Sequence, residues 1–420
     1  MESWSAKRLG NLCLRVSSGG TPLRSVPAYY ENGTIPWLKT GEVKKGFIYD
    51  TEEKITENGL ENSSTKLIPA NSVIVAMYGD GDTAGNVAIN KIPLTTNQAC
   101  CNFTLNPEQA NYRFVYYYLK GSYNNLINLK LGGSQQNLNA QSLKSFPINH
   151  PAVKTQKKIA AILSAYDELI ENNQRRIALL EKMAEEIYRE WFVRLRFPGR
   201  EKVKFLRGLP QGWRVAELSE LASVNSSSVS RRGNPESILY VDISSVSTNR
   251  IDNVTPYASA DAPGRARRRV EHGDVIWSSV RPANRAYSLI YEPPENLIVS
   301  TGFAVIRPNA ATPFTFLFFA VTSNPFVDQM TTVAKGAAYP ATSFDDFEKA
   351  KLLVPSDDLL KNFHEKAAPM FRQKHLLQQQ SERLRKTFDL LLPRLISGKR
   401  SVENLDIQFP PSMVDPAHET

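Results

Sequence analysis

The sequence lacks the usual marks of a secreted, membrane-spanning or disulfide-bonded protein. Its 420 residues include three cysteines, Cys13 and the adjacent Cys100 and Cys101, an odd number without CxxC spacing. We therefore expect buried free thiols rather than a disulfide framework or a zinc knuckle. The longest apolar run, residues 314–321, is too short to cross a bilayer, and the first residues do not resemble a signal peptide. These features favour a cytoplasmic protein.

Catalytic and nucleotide-binding motifs are also missing. There is no GxxxxGK[ST] loop for nucleotide phosphates, and the five histidines show no metal-ligand spacing. An adenine methyltransferase needs an Asn/Asp-Pro-Pro-aromatic turn to hold the flipped base, and the nearest sequence, Asn324-Pro325-Phe326, lacks the second proline. The sequence therefore predicts no catalytic residue, no metal site and no cofactor in this chain.

Basic residues outnumber acidic ones by 51 to 42, which gives a formal net charge of +9. They cluster between residues 194 and 207 and again in Arg265-Ala-Arg267-Arg268-Arg269. Clustered positive charge favours a polyanionic partner such as nucleic acid. A basic surface without a function stays open as an alternative.

Apolar periodicity predicts two long helices that pair with each other. Between residues 151 and 192 the apolar steps alternate four and three, which is the spacing of a coiled-coil seam, and the same steps recur 204 positions later, between residues 359 and 396. The first seam is Ile159, Leu163, Tyr166, Ile170, Asn173, Ile177, Leu180, Ala184, Ile187 and Trp191. The second is Phe363, Ala367, Met370, Lys374, Leu377, Ser381, Leu384, Phe388, Leu391 and Leu395. Pro369 and Pro393 predict a kink or break in the second helix.

The segments before the two helices also repeat. Trp4, Leu9 and Leu12 recur with the same spacing at residues 213, 218 and 221, and residues 35–43 align with residues 238–246. We interpret this as a tandem duplication of one α+β domain plus one helix. The predicted ranges are 1–150 for the first domain, 151–193 for the central helix, 194–354 for the second domain, 355–398 for the C-terminal helix and 399–420 for a flexible tail.

The duplication predicts a pseudo-symmetric fold of class α+β, with two tandem domains separated by two long helices that form an antiparallel coiled coil. Two similar basic modules held apart in this way can address two segments of one long polymer, and duplex DNA presents such segments at fixed spacing. A coiled coil that only dimerises the chain is the alternative.

Several short motifs, taken in their order, resemble one known family. They are Ser18-Gly-Gly-Thr-Pro22 with Ile35-Pro-Trp37, Asn97-Gln-Ala99, Gly133-Ser-Gln-Gln-Asn-Leu138, Gln156-Lys-Lys-Ile-Ala-Ala-Ile-Leu163 and Leu391-Leu-Pro-Arg-Leu-Ile-Ser-Gly398. This order is similar to that of the DNA-specificity subunits of type I restriction-modification systems. In the second half Lys335-Gly-Ala-Ala-Tyr-Pro340 replaces the Gly/Ser/Gln loop.

The resemblance implies a non-catalytic subunit whose two target-recognition domains each read one half of a split double-stranded DNA site. It also implies that the helices set the spacer and dock methyltransferase subunits, two of them by the symmetry, and that restriction subunits join the complex. S-adenosylmethionine would then belong to the methyltransferase, and ATP and magnesium to the restriction partner. The residues assigned to these subunit-docking helices are Ile159, Leu163, Tyr166, Ile170, Ile177, Leu180, Ile187, Phe363, Met370, Leu377, Leu384, Phe388 and Leu391.

The candidate DNA-reading residues are polar, basic or aromatic side chains in loops between strands, where they can enter a groove. In the first domain they are Thr21, Lys39, Tyr78, Gln135, Gln136 and Asn137. In the second they are Arg231, Arg232, Arg267, Arg268, Arg281 and Tyr339. Arg281 is the candidate for a guanine edge, and Lys39 for a phosphate contact. A single-chain restriction or methyltransferase enzyme and a coiled-coil protein scaffold are the alternative functions.

Overall fold

The computed structural model describes residues 4–79, 81–129, 137–206, 208–229, 235–336 and 339–413. The chain divides into two compact units. Unit 1 contains Met1–Asn172 and Gln380–Thr420, and unit 2 contains Asn173–Gln379. Each unit therefore takes one end of each long helix, and unit 1 is built from both ends of the chain.

Unit 1 is a mixed α+β structure built on three sheets. The largest has the strand order β2-β9-β6-β7-β4, and the others have the orders β5-β3-β8 and β1-β10. The strands are β1 Ser5–Arg8, β2 Cys13–Ser18, β3 Ile35–Leu38, β4 Phe47–Ile48, β5 Glu53–Ile55, β6 Val73–Ala76, β7 Val87–Asn90, β8 Thr95–Thr96, β9 Cys100–Leu105 and β10 Pro147–His150. The short helices are α1 Glu57–Glu61, α2 Tyr112–Gly121, α3 Tyr123–Ile127 and α4 Ala140–Ser145.

Unit 2 repeats this plan with its own strands. They are β11 Phe205–Leu206, β12 Leu209–Pro210, β13 Arg214–Glu217, β14 Ala222–Val224, β15 Ser237–Val241, β16 Val246–Ser247, β17 Arg250–Ile251, β18 Thr255–Ala258, β19 Ala266–Arg269, β20 Val275–Ser278, β21 Tyr287–Leu289, β22 Leu297–Ser300, β23 Phe303–Pro308 and β24 Lys351–Val354. Its short helices are α6 Phe314–Thr322, α7 Asn324–Val333 and α8 Phe344–Glu348.

Strand pairing shows that the two units are copies of one fold. The order β14-β23-β20-β21 in unit 2 matches β2-β9-β6-β7 in unit 1, and β18-β15-β22 matches β5-β3-β8. Even the parallel pair recurs, since β3 runs parallel to β8 and β15 runs parallel to β22. The match extends to β1-β10 and β13-β24, which are both antiparallel. The duplication read from the sequence is thus a duplication of topology.

The two long helices are α5, Val153–Tyr188, and α9, Asp357–Ile396. Helix α5 continues into a single π-helical turn, Arg189–Val193. Every seam position predicted on the two helices is buried or half-buried. In unit 1 the start of α5 shares a core with the end of α9, and in unit 2 the end of α5 shares a core with the start of α9. The helices are therefore antiparallel, and the predicted fold class is confirmed.

Helix α9 runs through both of its prolines, so the predicted break is wrong. Pro369 and Pro393 are exposed, as are Glu365 and Asp389, the residues four positions before them. A proline removes the N–H that would bond the carbonyl four residues earlier. Because both carbonyls belong to exposed residues, water can satisfy them, and the helix continues.

The segment after α9 packs against unit 1, which contradicts the prediction of a flexible tail for residues 399–413. Val402 is buried in the unit 1 core. Lys158 Nζ donates to the carbonyls of Glu403 and Leu405, both at 2.7 Å. The buried guanidinium of Arg113 donates to the carbonyl and the hydroxyl of Ser412, at 2.9 and 2.8 Å. Residues 414–420 lie outside the described residues.

Leucines on one helix allow a test of the seam within unit 1. Leu163 is fully buried and Leu169 is 47% exposed, although both lie on α5. We expect Leu163→Ala to lower the free energy of unfolding by about 2–5 kcal/mol, because it removes buried methyl groups and leaves a cavity. Leu169→Ala should change it by less than about 0.5 kcal/mol. Urea unfolding of the two variants measures the difference, and equal losses would contradict the seam assignment.

Candidate nucleic-acid interface

In unit 2 two loops meet at the end of strand β20. The backbone N–H of Thr342 donates to the carbonyl of Ser279 at 2.9 Å, and the backbone N–H of Arg281 donates to the carbonyl of Pro340 at 2.7 Å. The loop after β20 is thereby paired with the loop that precedes α8. This pairing brings together Arg281 and Tyr339, two residues that the sequence places 58 positions apart.

Arg281 and Tyr339 form a stacked pair. The guanidinium carbon of Arg281 lies 4.6 Å from the centre of the Tyr339 ring, and Tyr339 is 69% exposed. Arg281 has a φ of 51°, in the left-handed region that residues with a side chain rarely adopt, and Pro282 follows it at the start of a short 3-10 turn. The stack and the two backbone hydrogen bonds hold an exposed arginine in one place, which suits a planar contact with a base edge.

Arg268, on β19, lies over a second aromatic ring, at the start of α8. Its guanidinium carbon is 5.2 Å from the centre of the Phe344 ring, and its NH1 donates to Ser228 Oγ at 3.0 Å. Partial burial lowers the pKa of Arg268. Arg267 is exposed, and its Nε donates to the carbonyl of Gly264 at 2.8 Å. Arg231 and Arg232 lie outside the described residues.

Unit 1 contains the counterpart of this loop pairing. The backbone N–H of Leu138 donates to the carbonyl of Met77 at 3.0 Å, so the loop after β6 is joined to the loop before α4. This places Tyr78, half-buried with its pKa raised by burial, beside the exposed Asn137. Gln135 and Gln136 lie outside the described residues.

Lys39 lies in a network of ion pairs, in which the carboxylate of Glu53 compensates its charge. Its Nζ is 2.7 Å from Glu53 Oε1, and Arg24 NH1 is 2.6 Å from Glu53 Oε2. Hydrogen bonds from Arg24 and then Lys39 hold the pKa of Glu53 below its ordinary value. Arg24 in turn lies over the rings of Tyr30 and Trp37, at 4.5 and 4.8 Å. Because the Glu53 carboxylate already pairs with Lys39, less of the positive charge of this lysine is available to a phosphate.

Sequence reasoning missed Arg24 and Lys335. Arg24 follows the Ser18-Gly-Gly-Thr-Pro22 motif. Its guanidinium lies over the ring of Tyr30 and over the ring of Trp37 on β3, a contact that only the folded chain makes. Lys335 forms a bridge with Ala341 at the base of the loop that carries Tyr339. Thr21, which the sequence did single out, is exposed, and its hydroxyl donates to the side-chain carbonyl of Gln98.

Six of the thirteen seam residues that the sequence assigns to subunit docking are buried, and the other seven are half-buried. Ile159, Leu163 and Phe363 are at most 1% exposed. These three side chains pack in the units' own cores, and the docking role of the seam residues stays a prediction. The residues left at the helix surface, such as Leu179 and Met183, are 59% and 52% exposed.

Other chemistry is limited in the part of the chain that the structure describes. No group of three or more His, Cys, Asp or Glu side chains there could hold a metal ion. No described helix is long and apolar enough to cross a membrane. The three cysteines are free thiols, and burial raises the pKa of Cys13 to about 12.

A family model for the type I restriction modification DNA specificity domain matches residues 1–182. The type I restriction enzyme MjaIX specificity subunit of Methanocaldococcus jannaschii is 25% identical over 96% of this chain and 95% of its own length. The EcoR124I/EcoR124II specificity subunit of Escherichia coli is 32% identical, over 41% of this chain and 44% of its own length. The solved S subunit from M. genitalium is similar in fold, with a TM-score of 0.64 and 19% identity over 94% of this chain and 96% of that chain.

The two units repeat one α+β fold, share the long helix pair and contain the same loop pairing. The similarity to one of the curated relatives extends over 96% of the chain. The chain is similar to the specificity subunits of type I restriction-modification systems, and the matching family model covers the first 182 of its 420 residues.

The network around Glu53 predicts a pH-dependent contribution to stability. Because the folded pKa of Glu53 is lowered, its stabilising effect is present at neutral pH and is lost as the pH falls below the ordinary glutamate value of about 4.3. We expect Glu53→Gln to lower the free energy of unfolding by about 1 kcal/mol at pH 7, with the difference shrinking below pH 4. Glu31→Gln, at an exposed site, is the control. Unfolding at several pH values tests this, and a difference that persists unchanged at pH 3 would contradict it.

Proposed function

We propose that each unit reads one half of a bipartite double-stranded DNA site. The observation that carries this proposal is the loop pairing that occurs in both units, Met77 with Leu138 and Ser279 with Thr342. In each unit the paired loops present a different set of exposed side chains on the same framework. A common framework with different contact residues is suited to reading two different half-sites in one geometry.

In unit 2 Arg281 is the proposed base-reading residue. Arginine binds the two acceptors of a guanine edge bidentately, and such a contact discriminates against other bases by about 1–3 kcal/mol. The Tyr339 ring holds the guanidinium plane and so reduces the entropy lost when the contact forms. Arg267 and Arg268, on strand β19 of the other four-stranded sheet of unit 2, are proposed to position the duplex through its phosphates.

The Arg281 proposal predicts relaxed specificity at one base pair. We expect Arg281→Ala to permit methylation of sites altered at one position of one half-site, with the other half-site unchanged. Tyr339→Ser should produce a weaker form of the same change, and Tyr339→Phe, which keeps the ring, should resemble the wild type. Sequencing of methylated sites from the reconstituted complex measures this. Affinity that falls equally for all sequences would instead identify Arg281 as a phosphate contact.

We propose that the chain assembles with two methyltransferase subunits and with restriction subunits. On this proposal S-adenosylmethionine is bound by the methyltransferase, ATP and magnesium are bound by the restriction subunits, and this chain binds neither. The support is the similarity to specificity subunits, together with the lack of a metal cluster among the described residues and of nucleotide-binding motifs in the sequence. We further propose that the complex acts in the cytoplasm, where it meets incoming DNA.

The two long helices are proposed to set the spacer between the half-sites. The boundary between the units crosses α5 after Asn172 and α9 after Gln379. One heptad inserted after Asn173 and one after Leu377 keep the alternation of the seam. Each insertion lengthens its own helix by about 10 Å, and this length corresponds to about 3 bp of duplex.

The helix proposal predicts unchanged half-sites with a spacer longer by about one to three base pairs, and weaker binding because the added base pairs also rotate one half-site around the DNA axis. Methylation-site sequencing of the insertion variant measures the spacer. A variant with the heptad in only one helix is the control, since it breaks the seam and should lose activity. The original spacing with full activity in the double insertion would rule out the helices as the ruler.

A further inference from the structure

Unit 2 contains a cavity of about 520 Å³ between the end of α5, the start of α9 and helices α6 and α7. Seven of its 27 lining residues are aromatic, among them Tyr188, Phe192 and Phe319. Val193, at its edge, is 63% exposed, so the cavity opens to solvent. The volume lies within the range of roughly 300–1,000 Å³ that is typical of ligand sites.

The corresponding place in unit 1 is filled by the chain itself. Lys120 Nζ lies 5.0 Å from the centre of the Phe388 ring and 3.8 Å from Asp167 Oδ2. The 204-residue repeat of the seams pairs Phe388 with Ala184, and Lys120 is the ninth residue of α2 as Thr322 is of α6. Both Ala184 and Thr322 line the cavity. Two large side chains of unit 1 therefore have smaller counterparts in the lining of the unit 2 cavity.

Charge around the cavity favours an acidic occupant. Its lining includes four basic residues, Arg189, Arg285, Lys351 and Lys374, and two acidic ones, Glu181 and Glu185. Glu181 is already paired with Lys374 at 2.6 Å, and Arg189 lies 3.4 Å from Glu186, outside the lining, and 3.9 Å from Glu185. The lining is thus more positive than negative by two charges, around an apolar interior. An apolar group that carries negative charge beside it fits both features.

We propose that this cavity is the docking socket for a large aromatic side chain on an acidic segment of a methyltransferase subunit. The inference rests on the proposed function, which supplies the partner. Aromatic side chains that fill pockets are the usual anchors of protein interfaces. Because unit 1 fills its own counterpart, the two units offer inequivalent docking surfaces, and the partner bound at unit 2 has an anchor that the partner at unit 1 lacks.

The first test fills the socket with the side chain that unit 1 uses. Ala184→Phe should weaken binding of the methyltransferase subunit at one of its sites by at least about tenfold in calorimetric titration. Ala178→Phe, which adds the same ring at an exposed position of α5, is the control and should bind as the wild type does. Lys351→Glu reverses an exposed charge at the cavity and should weaken the same site about threefold or more, without altering the core.

A second measurement does not depend on whether Ala184→Phe folds. Met370 lines the cavity, while Met330 is buried elsewhere in unit 2. In the wild-type chain with labelled methionine methyl groups, added methyltransferase should shift the Met370 resonance and leave Met330 unchanged. Unchanged Met370, or wild-type affinity in both folded Ala184→Phe and Lys351→Glu, would overturn the socket alone. A Met370 shift on concentrating the chain by itself would assign the cavity to a second copy and also overturn it. No binding of methyltransferase to the wild type would overturn the proposed function together with the socket.

Discussion

Burial of the two-helix seam is the constraint on which both units depend. Phe363 and Leu395 are at most 1% exposed at opposite ends of α9, and each belongs to the core of a different unit. Unit 1 cannot complete its core until the end of α9 has been made, because its other residues come from the start of the chain. The fold therefore depends on contacts between residues far apart in sequence, which close slowly and cooperatively.

The sequence predicts this scaffold well because a repeated seam leaves a repeated periodicity. Asn173 and Ser381 were predicted at seam positions despite their polarity, and both are buried. Lys374, the third polar seam residue, is compensated by Glu181 at 2.6 Å within unit 2. The continuity of α9 through its prolines was not predictable in the same way, since it depends on which face of the helix they occupy. The order of the tail depends likewise on partners such as Arg113, about 300 positions away.

The candidate site could be predicted only in part. Loop position and residue type were sufficient to single out Arg281 and Tyr339, and the fold brings the two into contact. The same reasoning selected Lys39, whose charge is shared with Glu53 across the β3-β5 pair. Residue type reports what a side chain can bind, whereas its availability is decided by neighbours that the fold supplies. Basic residues that pair with acidic side chains in the folded chain are therefore the least predictable part of such an interface.

Duplication lets the two halves diverge in function while the scaffold stays the same. The loop hydrogen bonds at Met77 and Ser279 use backbone atoms, so they hold the loops in place whichever side chains the loops carry. Changes among exposed residues such as Asn137 and Tyr339 consequently leave the core intact. The same logic applies beneath the surface, where Phe388 and Ala184 occupy equivalent seam positions with very different volumes. A scaffold held by backbone pairing and a long seam can therefore tolerate a filled core in one unit and an open cavity in the other.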